Sequence, residues 1–314
     1  MAIVRALFAI LVVACAASCG GAAPHQVDEP GAIISAEAVS VSDPALPADA
    51  SSVRRITYVS RSGVDDSSTR VTGSVYVPRA APPESGFHVV VYGQTVTATA
   101  PECAVSQAKA ASSAAVNTLL KAGYVVAVPD YQGLGDPAGG KRYYHPALDS
   151  TTAGYNLIDA VRATKNLIPD TSPIWMAVGE VQGGQAAWAL NELADNYGFQ
   201  SLRGTVSISP LADLSGLADA AADGTLTPEQ RRVYIEYLAA LATEYKSHFP
   251  LDDYRRGAVK RNWALLLGCR AGDDAAAALA TFTRKLDQAV GNGDLGALEA
   301  SGLRFALSAV RVQI

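Results

Sequence analysis

A strand, a tight glycine turn and a helix follow one another directly at residues 173–190. Residues 173–178 read Pro-Ile-Trp-Met-Ala-Val, which is the composition of a buried strand. The turn, residues 179–184, reads Gly-Glu-Val-Gln-Gly-Gly, and residues 185–190 read Gln-Ala-Ala-Trp-Ala-Leu, as expected of a helix. This βα order constrains the chain to a fold in which helices cover a sheet.

Strands and helices alternate along the first part of the chain. An antiparallel hairpin is predicted from the alternating runs 53–61 and 70–78, which flank a segment rich in Gly, Asp and Ser. Further strands are predicted at 87–92, 124–129, 174–179 and 203–209, and helices at about 106–122, 150–166 and 183–196. This alternation predicts an α/β fold with a mostly parallel sheet and right-handed crossovers.

The character of the sequence changes after residue 210. Helical patterns occupy residues 211–224, 227–245, 251–267, 273–290 and 295–310, and no further clear strand intervenes. The segment Thr227-Pro-Glu-Gln gives the second of these helices an N-cap, a proline in its first turn and an acidic residue. We therefore predict an α/β core at 53–210 and a helical cap, of the kind that covers a pocket, at 211–314.

Composition narrows the functional classes. With 314 residues, 49% of them hydrophobic, the chain can bury a substantial core. A net charge of −5 provides no basic surface for nucleic acid, so no nucleic-acid partner is expected. The sequence contains no cluster of His, Cys, Asp and Glu residues at metal-ligand spacing. It also contains no Walker-type phosphate loop. Neither a metal nor a cofactor is expected.

The N-terminus has the pattern of an export signal. Arg5 precedes an apolar run at 6–14 that is too short for a permanent membrane span. Residues 16–21 read Ala-Ala-Ser-Cys-Gly-Gly and resemble the lipobox of bacterial lipoproteins, with Cys19 as the lipidated residue. Cys15 is a second candidate, and an ordinary secretory signal is the alternative.

This interpretation predicts an export signal at 1–19 and an exported protein that is either secreted or held at the cell surface by a lipid anchor in the membrane. Residues 20–52 are rich in Pro, Ala, Ser and acidic residues, and are predicted to form a flexible tether. In an oxidising compartment Cys103 and Cys269 are candidates for a disulfide, and two separately buried thiols are the alternative.

Several motifs, spread over roughly residues 53–270, resemble one known family. Asp130–Gly135 reads Asp-Tyr-Gln-Gly-Leu-Gly, and related segments lie at 101–104, 153–162, 182–187 and 252–257. Together with the glycine turn they resemble the secretory lipases, a family of α/β-hydrolases that includes fungal secreted lipases and actinobacterial relatives. The resemblance implies hydrolysis of triacylglycerols or other carboxylic esters by a Ser-Asp-His triad, and hence an acyl ester or lipid ligand.

The glycine turn then corresponds to the nucleophile elbow G-x-S-x-G, with Val181 at the position of the serine. Valine has no atom that can attack a carbonyl group. The resemblance implies that the backbone of Gln182 and the loop containing Gln94 and Thr95 supply the oxyanion-hole donors.

The triad acid and base are not identified. In α/β-hydrolases the triad residues follow one another along the chain in the order Ser, Asp, His, so the histidine should come after the elbow. The only histidine there is His248, which is interpreted as a surface or packing residue of the cap. Asp213 is interpreted as a charge at a helix N-terminus. His145 is interpreted as a loop histidine bound by a backbone carbonyl, with substrate contact as the alternative. The last residues do not resemble the acid-bearing strand of the family, so the C-terminal strands are expected to be missing.

Three functional hypotheses follow. The sequence favours a secretory-lipase relative that is catalytically inactive, because its nucleophile is replaced. The second hypothesis is a non-enzymatic exported lipoprotein that binds lipids or a partner in the retained pocket. The third is an active hydrolase with an unrecognised nucleophile.

Overall fold

A mixed seven-stranded sheet lies at the centre of the computed structural model, which describes residues 29–40, 46–95, 98–107, 114–135, 144–197, 201–245 and 249–268. The strands are β1 (Ile33–Val39), β2 (Ala50–Arg61), β3 (Ser68–Pro78), β4 (Phe87–Gly93), β5 (Val125–Pro129), β6 (Thr171–Glu180) and β7 (Leu202–Ile208). Their spatial order is β1-β2-β3-β5-β4-β6-β7. The first three pair antiparallel with their neighbours, whereas β5, β4, β6 and β7 are parallel.

Helices connect the parallel strands and form the cap. They are α1 (Ala114–Lys121), α2 (Ser150–Leu167), α3 (Gln182–Leu193), α4 (Ser215–Ala222), α5 (Pro228–Glu244), α6 (Gly257–Arg261) and α7 (Trp263–Leu266). The predicted α/β class, the hairpin of β2 and β3, and the helices corresponding to α2, α3 and α5 are confirmed. The predicted helix at 106–122 is wrong at its start, because Val105–Gln107 is a separate 3-10 turn.

The predicted flexible tether at 20–52 is wrong for residues 33–39 and 50–52. Residues 33–39 form β1, which pairs antiparallel with β2 and places Ala36 opposite Ile56. Ile33 and Ala36 pack against the core of the sheet. The short, mixed sequence of β1 carries no clear alternation, and pairing with β2 supplies the order that the local pattern does not show.

The two faces of the sheet pack against different helices, because successive strand residues point to opposite sides. One face packs against α2 and α3, and the other packs against α1. The first cluster includes Val89, Val91, Val125, Leu157 and Leu190, and the second includes Val116, Leu120, Val126 and Val128. With both faces of β4 and β5 covered, the carboxyl ends of the parallel strands remain for a site.

The cap is formed by α4 and α5. Their apolar residues pack with Leu148, which lies just before α2 and joins the cap to the core. Helix α5 begins with a capping box, in which Thr227 Oγ1 accepts from the Gln230 N–H at 3.2 Å and Gln230 Oε1 accepts from the Thr227 N–H at 2.9 Å. Among the described helices, none is long and apolar enough to cross a bilayer.

Strand β7, one of the two edge strands of the described sheet, differs on its two faces. Thr205 and Ser207 bond to α3, the latter donating to the Gly184 carbonyl at 2.7 Å. Val206 and Ile208 point the other way and are 52% and 44% exposed. Two large apolar side chains on neighbouring positions of one face form a surface that favours association.

Replacing Val206 and Ile208 together by threonine should lower binding of a hydrophobic dye and reduce aggregation on heating, because threonine retains β propensity while removing apolar surface. Fluorescence with bis-ANS and light scattering during a thermal ramp measure both effects. Val64→Thr is the matched control, since Val64 is 50% exposed in the loop between β2 and β3. Dye binding that falls equally in the control would contradict the assignment to β7.

Candidate functional site

The turn between β6 and α3 holds Val181 in an unusual backbone conformation. Its φ is 55° and its ψ is −111°, the geometry of the first central residue of a type II′ turn, where glycine is usual. A β-branched residue there carries strain of about 1–3 kcal/mol. The Val181 N–H donates to the Ile208 carbonyl at 2.9 Å, and the Val181 carbonyl accepts from the Gln185 N–H at 3.0 Å. These bonds anchor the strained residue on both sides.

Gly179 and Gly183 allow β4, β6 and the start of α3 to approach one another very closely. This close packing holds Val181 in its conformation. A Cβ on Gly179 would lie 1.9 Å from the Gly183 carbonyl oxygen, and a Cβ on Gly183 would lie 1.9 Å from the Gly93 carbonyl oxygen. The N-terminus of α3 therefore contacts β4 and β6 through backbone alone. Residues 179, 181 and 183 have the spacing and backbone geometry of a nucleophile elbow, with valine at its apex.

A cavity of about 120 Å³ lies between this turn and the cap. Polar residues from three sources line it: Thr95 and Gln182 near the sheet, His145 before α2, and Arg232 and Glu236 on α5. A neighbouring cavity of about 220 Å³ shares Thr99 and His145 with it. The site thus lies at the carboxyl ends of the parallel strands, where ligands bind in open α/β sheets.

His145 is buried at the junction of the two cavities. Its Nδ1 lies 3.0 Å from the Gln132 carbonyl oxygen, which can only accept, so we assign the proton to Nδ1. Its Nε2 lies 2.9 Å from Gln182 Nε2 and accepts from that amide. Burial lowers the pKa of His145 to about 4. The predicted bond to a backbone carbonyl is confirmed, and the same residue also lines the cavity.

A buried polar network continues behind His145. The Gln132 N–H donates to Asn156 Oδ1 at 2.8 Å, and Asn156 Nδ2 donates to Ser60 Oγ at 2.9 Å. Ser60 Oγ in turn donates to Asp159 Oδ2 at 2.8 Å. Burial raises the pKa of Asp159 to about 6, although the neighbouring Arg162 opposes the shift. The network joins β2, α2 and the loop after β5, and so fixes the carbonyl that orients His145.

The motif at 130–135 has a structural role in this fold. Asp130 is buried and accepts from Thr72 Oγ1 at 2.7 Å and from the Ser106 N–H at 2.8 Å. Burial raises the pKa of the Asp130 carboxyl. The Tyr131 hydroxyl donates to the Gln94 carbonyl at 3.2 Å. These bonds tie the loops around the site to the end of β5.

The residues predicted for the oxyanion hole divide into two groups. Gln182 is the first residue of α3, whose first amide groups have no partner within the helix, and both Gln182 and Thr95 line the cavity with Val181. Thr95 Oγ1 donates to the Glu180 carbonyl at 3.1 Å. Gln94 is buried, its Nε2 donates to the Pro129 carbonyl at 3.3 Å, and it is not among the cavity-lining residues.

The remaining predicted residues lie elsewhere. Cys103 ends a 3-10 turn and is disulfide-bonded, but Cys269 lies outside the described residues, so the pairing of the two stays a prediction. Cys19 and His248 also lie outside them. Asp213 Oδ1 accepts from the Ser215 N–H at 2.9 Å, in agreement with its interpretation as a charge at a helix start.

Within the described ranges, no group of three or more His, Cys, Asp and Glu side chains could hold a metal ion. The sequence interpretation missed the charged residues that α5 contributes to the cavity. Arg232 and Glu236 are four residues apart, with Arg232 Nε 3.3 Å from Glu236 Oε1. Burial raises the pKa of Glu236 to about 7, and the charge of Arg232 opposes the shift. Their spacing is visible in the sequence, but such pairs usually lie on the solvent-facing side of a helix.

Comparison with solved structures identifies the fold as that of α/β-hydrolases. The rice cell-wall-degrading esterase LipA of Xanthomonas oryzae aligns with a TM-score of 0.67 at 19% identity, over 90% of this chain and 79% of the esterase. Candida antarctica lipase A aligns with a TM-score of 0.60 at 16% identity, over 78% of this chain and 57% of the lipase. No family model and no curated protein matches the sequence. The predicted fold class is confirmed.

Replacing Val181 by glycine tests the strain at the turn. We expect the free energy of unfolding to stay unchanged or to rise by up to about 1 kcal/mol, because glycine adopts a positive φ without a Cβ penalty. Val178→Gly is the control: Val178 pairs with Tyr92 in ordinary strand geometry, and its loss should destabilise by about 2 kcal/mol. Urea unfolding measures both variants. Equal destabilisation of the two would show that Val181 is not strained.

Proposed function

We propose that this chain is a secretory-lipase-type α/β-hydrolase that is inactive in acyl transfer. The observation that carries the proposal is Val181 at the apex of an otherwise complete nucleophile elbow. Acyl transfer at this position requires an oxygen or sulfur nucleophile, and valine provides neither. The likeness to esterase and lipase structures supports the hydrolase ancestry on which the proposal depends.

Among the residues that the structure describes, the site has no histidine that is ready to act as a base. The Nε2 of His145, its only acceptor nitrogen, is occupied by the Gln182 amide. The low pKa of about 4 makes the neutral ring a weak base for activating water. Amide donors at the start of α3 would stabilise an oxyanion, but donors and binding alone accelerate hydrolysis by about 10³–10⁴ over water.

A second function, binding of a lipid or acyl ligand without turnover, is supported by the cavity itself. The cavity remains open above Val181, and its walls include Ala98, Leu211 and Val233 beside the polar groups. Apolar walls with a few convergent polar groups are typical of small-molecule sites.

The wild-type protein should not hydrolyse p-nitrophenyl butyrate above the rate of a heat-denatured sample. Val181→Ser should not restore turnover, because His145 Nε2 already accepts from Gln182. Release of p-nitrophenol measures both variants, and an active esterase serves as the positive control. A burst of product, or labelling of the wild type by a fluorophosphonate, would contradict the proposal.

We further propose export, with Cys19 carrying a lipid anchor. Detergent phase partitioning after expression in a bacterium that processes lipoproteins measures this. The wild type should enter the detergent phase, and Cys19→Ala should move to the aqueous phase because a lipid chain supplies about 0.8 kcal/mol per buried methylene. Cys15→Ala is the matched control and should partition like the wild type. Identical partitioning of all three would reject lipidation at Cys19.

A further inference from the structure

The cavity beside Val181 contains a charged pair in a largely apolar wall. Arg232 and Glu236 extend from one face of α5, and the Glu236 side chain is only 16% exposed. The Arg232 side chain is 38% exposed, so the desolvation penalty falls mainly on the Glu236 carboxyl.

The opposite wall is electropositive or neutral. Gln182 begins α3, and the amide groups at a helix N-terminus carry a partial positive charge. His145 contributes a neutral ring there. With the guanidinium of Arg232 on the other side, the cavity favours an anion over a cation when Glu236 is protonated.

The size and walls of the cavity restrict that anion. About 120 Å³ is somewhat less than the roughly 150 Å³ of an apolar cavity that holds benzene, so a ligand of about six non-hydrogen atoms, such as butyrate, is the upper limit. Val181, Leu211 and Val233 offer apolar surface for an alkyl chain.

We propose that this cavity binds a short straight-chain monocarboxylate, with its carboxylate between Arg232 and Glu236 and its alkyl chain against Val181, Leu211 and Val233. The proposal rests on the absence of turnover proposed above, since it makes the acid a retained ligand. Protonated Glu236 donates a hydrogen bond to the ligand carboxylate, whereas ionised Glu236 repels it. Binding at neutral pH therefore takes up a proton from the solvent.

Glu236 is the group that makes this binding depend on pH. Burial raises its pKa to about 7 against the opposing charge of Arg232. The other titratable residues that line the cavity stay in one state between pH 6 and pH 8: His145, with a pKa of about 4, is neutral, and burial raises the pKa of Tyr237 well above its usual value. A simple carboxylic acid, with a pKa near that of Glu at about 4.3, is ionised throughout.

Affinity should therefore rise as the pH falls from 8 to 6, by up to about tenfold, since the protonated fraction of Glu236 rises by that factor. Isothermal titration of the full chain with butyrate at both pH values measures this. Butan-1-ol has the same chain without the charge and should bind at least about tenfold more weakly. Titration at pH 7 in two buffers of different ionisation enthalpy should report proton uptake.

Three variants identify the groups. Arg232→Gln should weaken butyrate binding at both pH values, and Glu236→Gln should abolish the pH dependence while keeping affinity near the wild-type value at pH 6. Val233→Phe should block binding by filling the cavity, which keeps the test decisive if Arg232→Gln does not fold. Arg261→Gln and Glu84→Gln replace exposed residues away from the cavity and should match the wild type.

The outcomes separate this inference from the proposed function. Equal affinity for butyrate and butan-1-ol, unchanged binding in Val233→Phe, or no binding of butyrate at either pH would overturn the inference while leaving the absence of turnover intact. Hydrolysis of p-nitrophenyl butyrate by the wild type would overturn the proposed function whatever the affinity for the free acid.

Discussion

The backbone contact between Gly179, Gly183 and Gly93 is the constraint on which the site depends. Because none of these residues has a side chain, α3 begins directly against β4 and β6. This proximity forces the connecting residue, Val181, into a positive φ and aims it at the space under the cap. The elbow is thus a consequence of glycine packing, and it forms with valine at its apex.

Several polar side chains are buried around that contact. Asp130, Asn156 and Asp159 tie the loops at the carboxyl ends of the strands to β2, β3 and α2. Such networks are stable only when their members are bonded, and they hold one arrangement of the loops in return. His145 is oriented by this scaffold, so its neutral state and its bond to Gln182 follow from the fold more than from its own neighbours in the sequence.

Local patterns predicted the elements whose signals are local. The hairpin of β2 and β3, the capped helix α5 and the turn after β6 each rest on residues close together in the chain. Strand β1 escaped prediction because its stability comes from pairing with β2, and Arg232 and Glu236 escaped because an i, i+4 ion pair resembles a solvent-facing one. In both cases the deciding partner lies far away in the sequence.

The sequence by itself determined the fold class and the absence of a nucleophile at residue 181, because glycine spacing and side-chain chemistry are properties of single positions. Only the tertiary structure decided what surrounds that residue. The packing of the cap forms a cavity over Val181, with His145 from one loop and Glu236 from α5 in its walls. Burial lowers the pKa of His145 and raises that of Glu236. Burial depends on the packing of distant segments, which no local pattern contains.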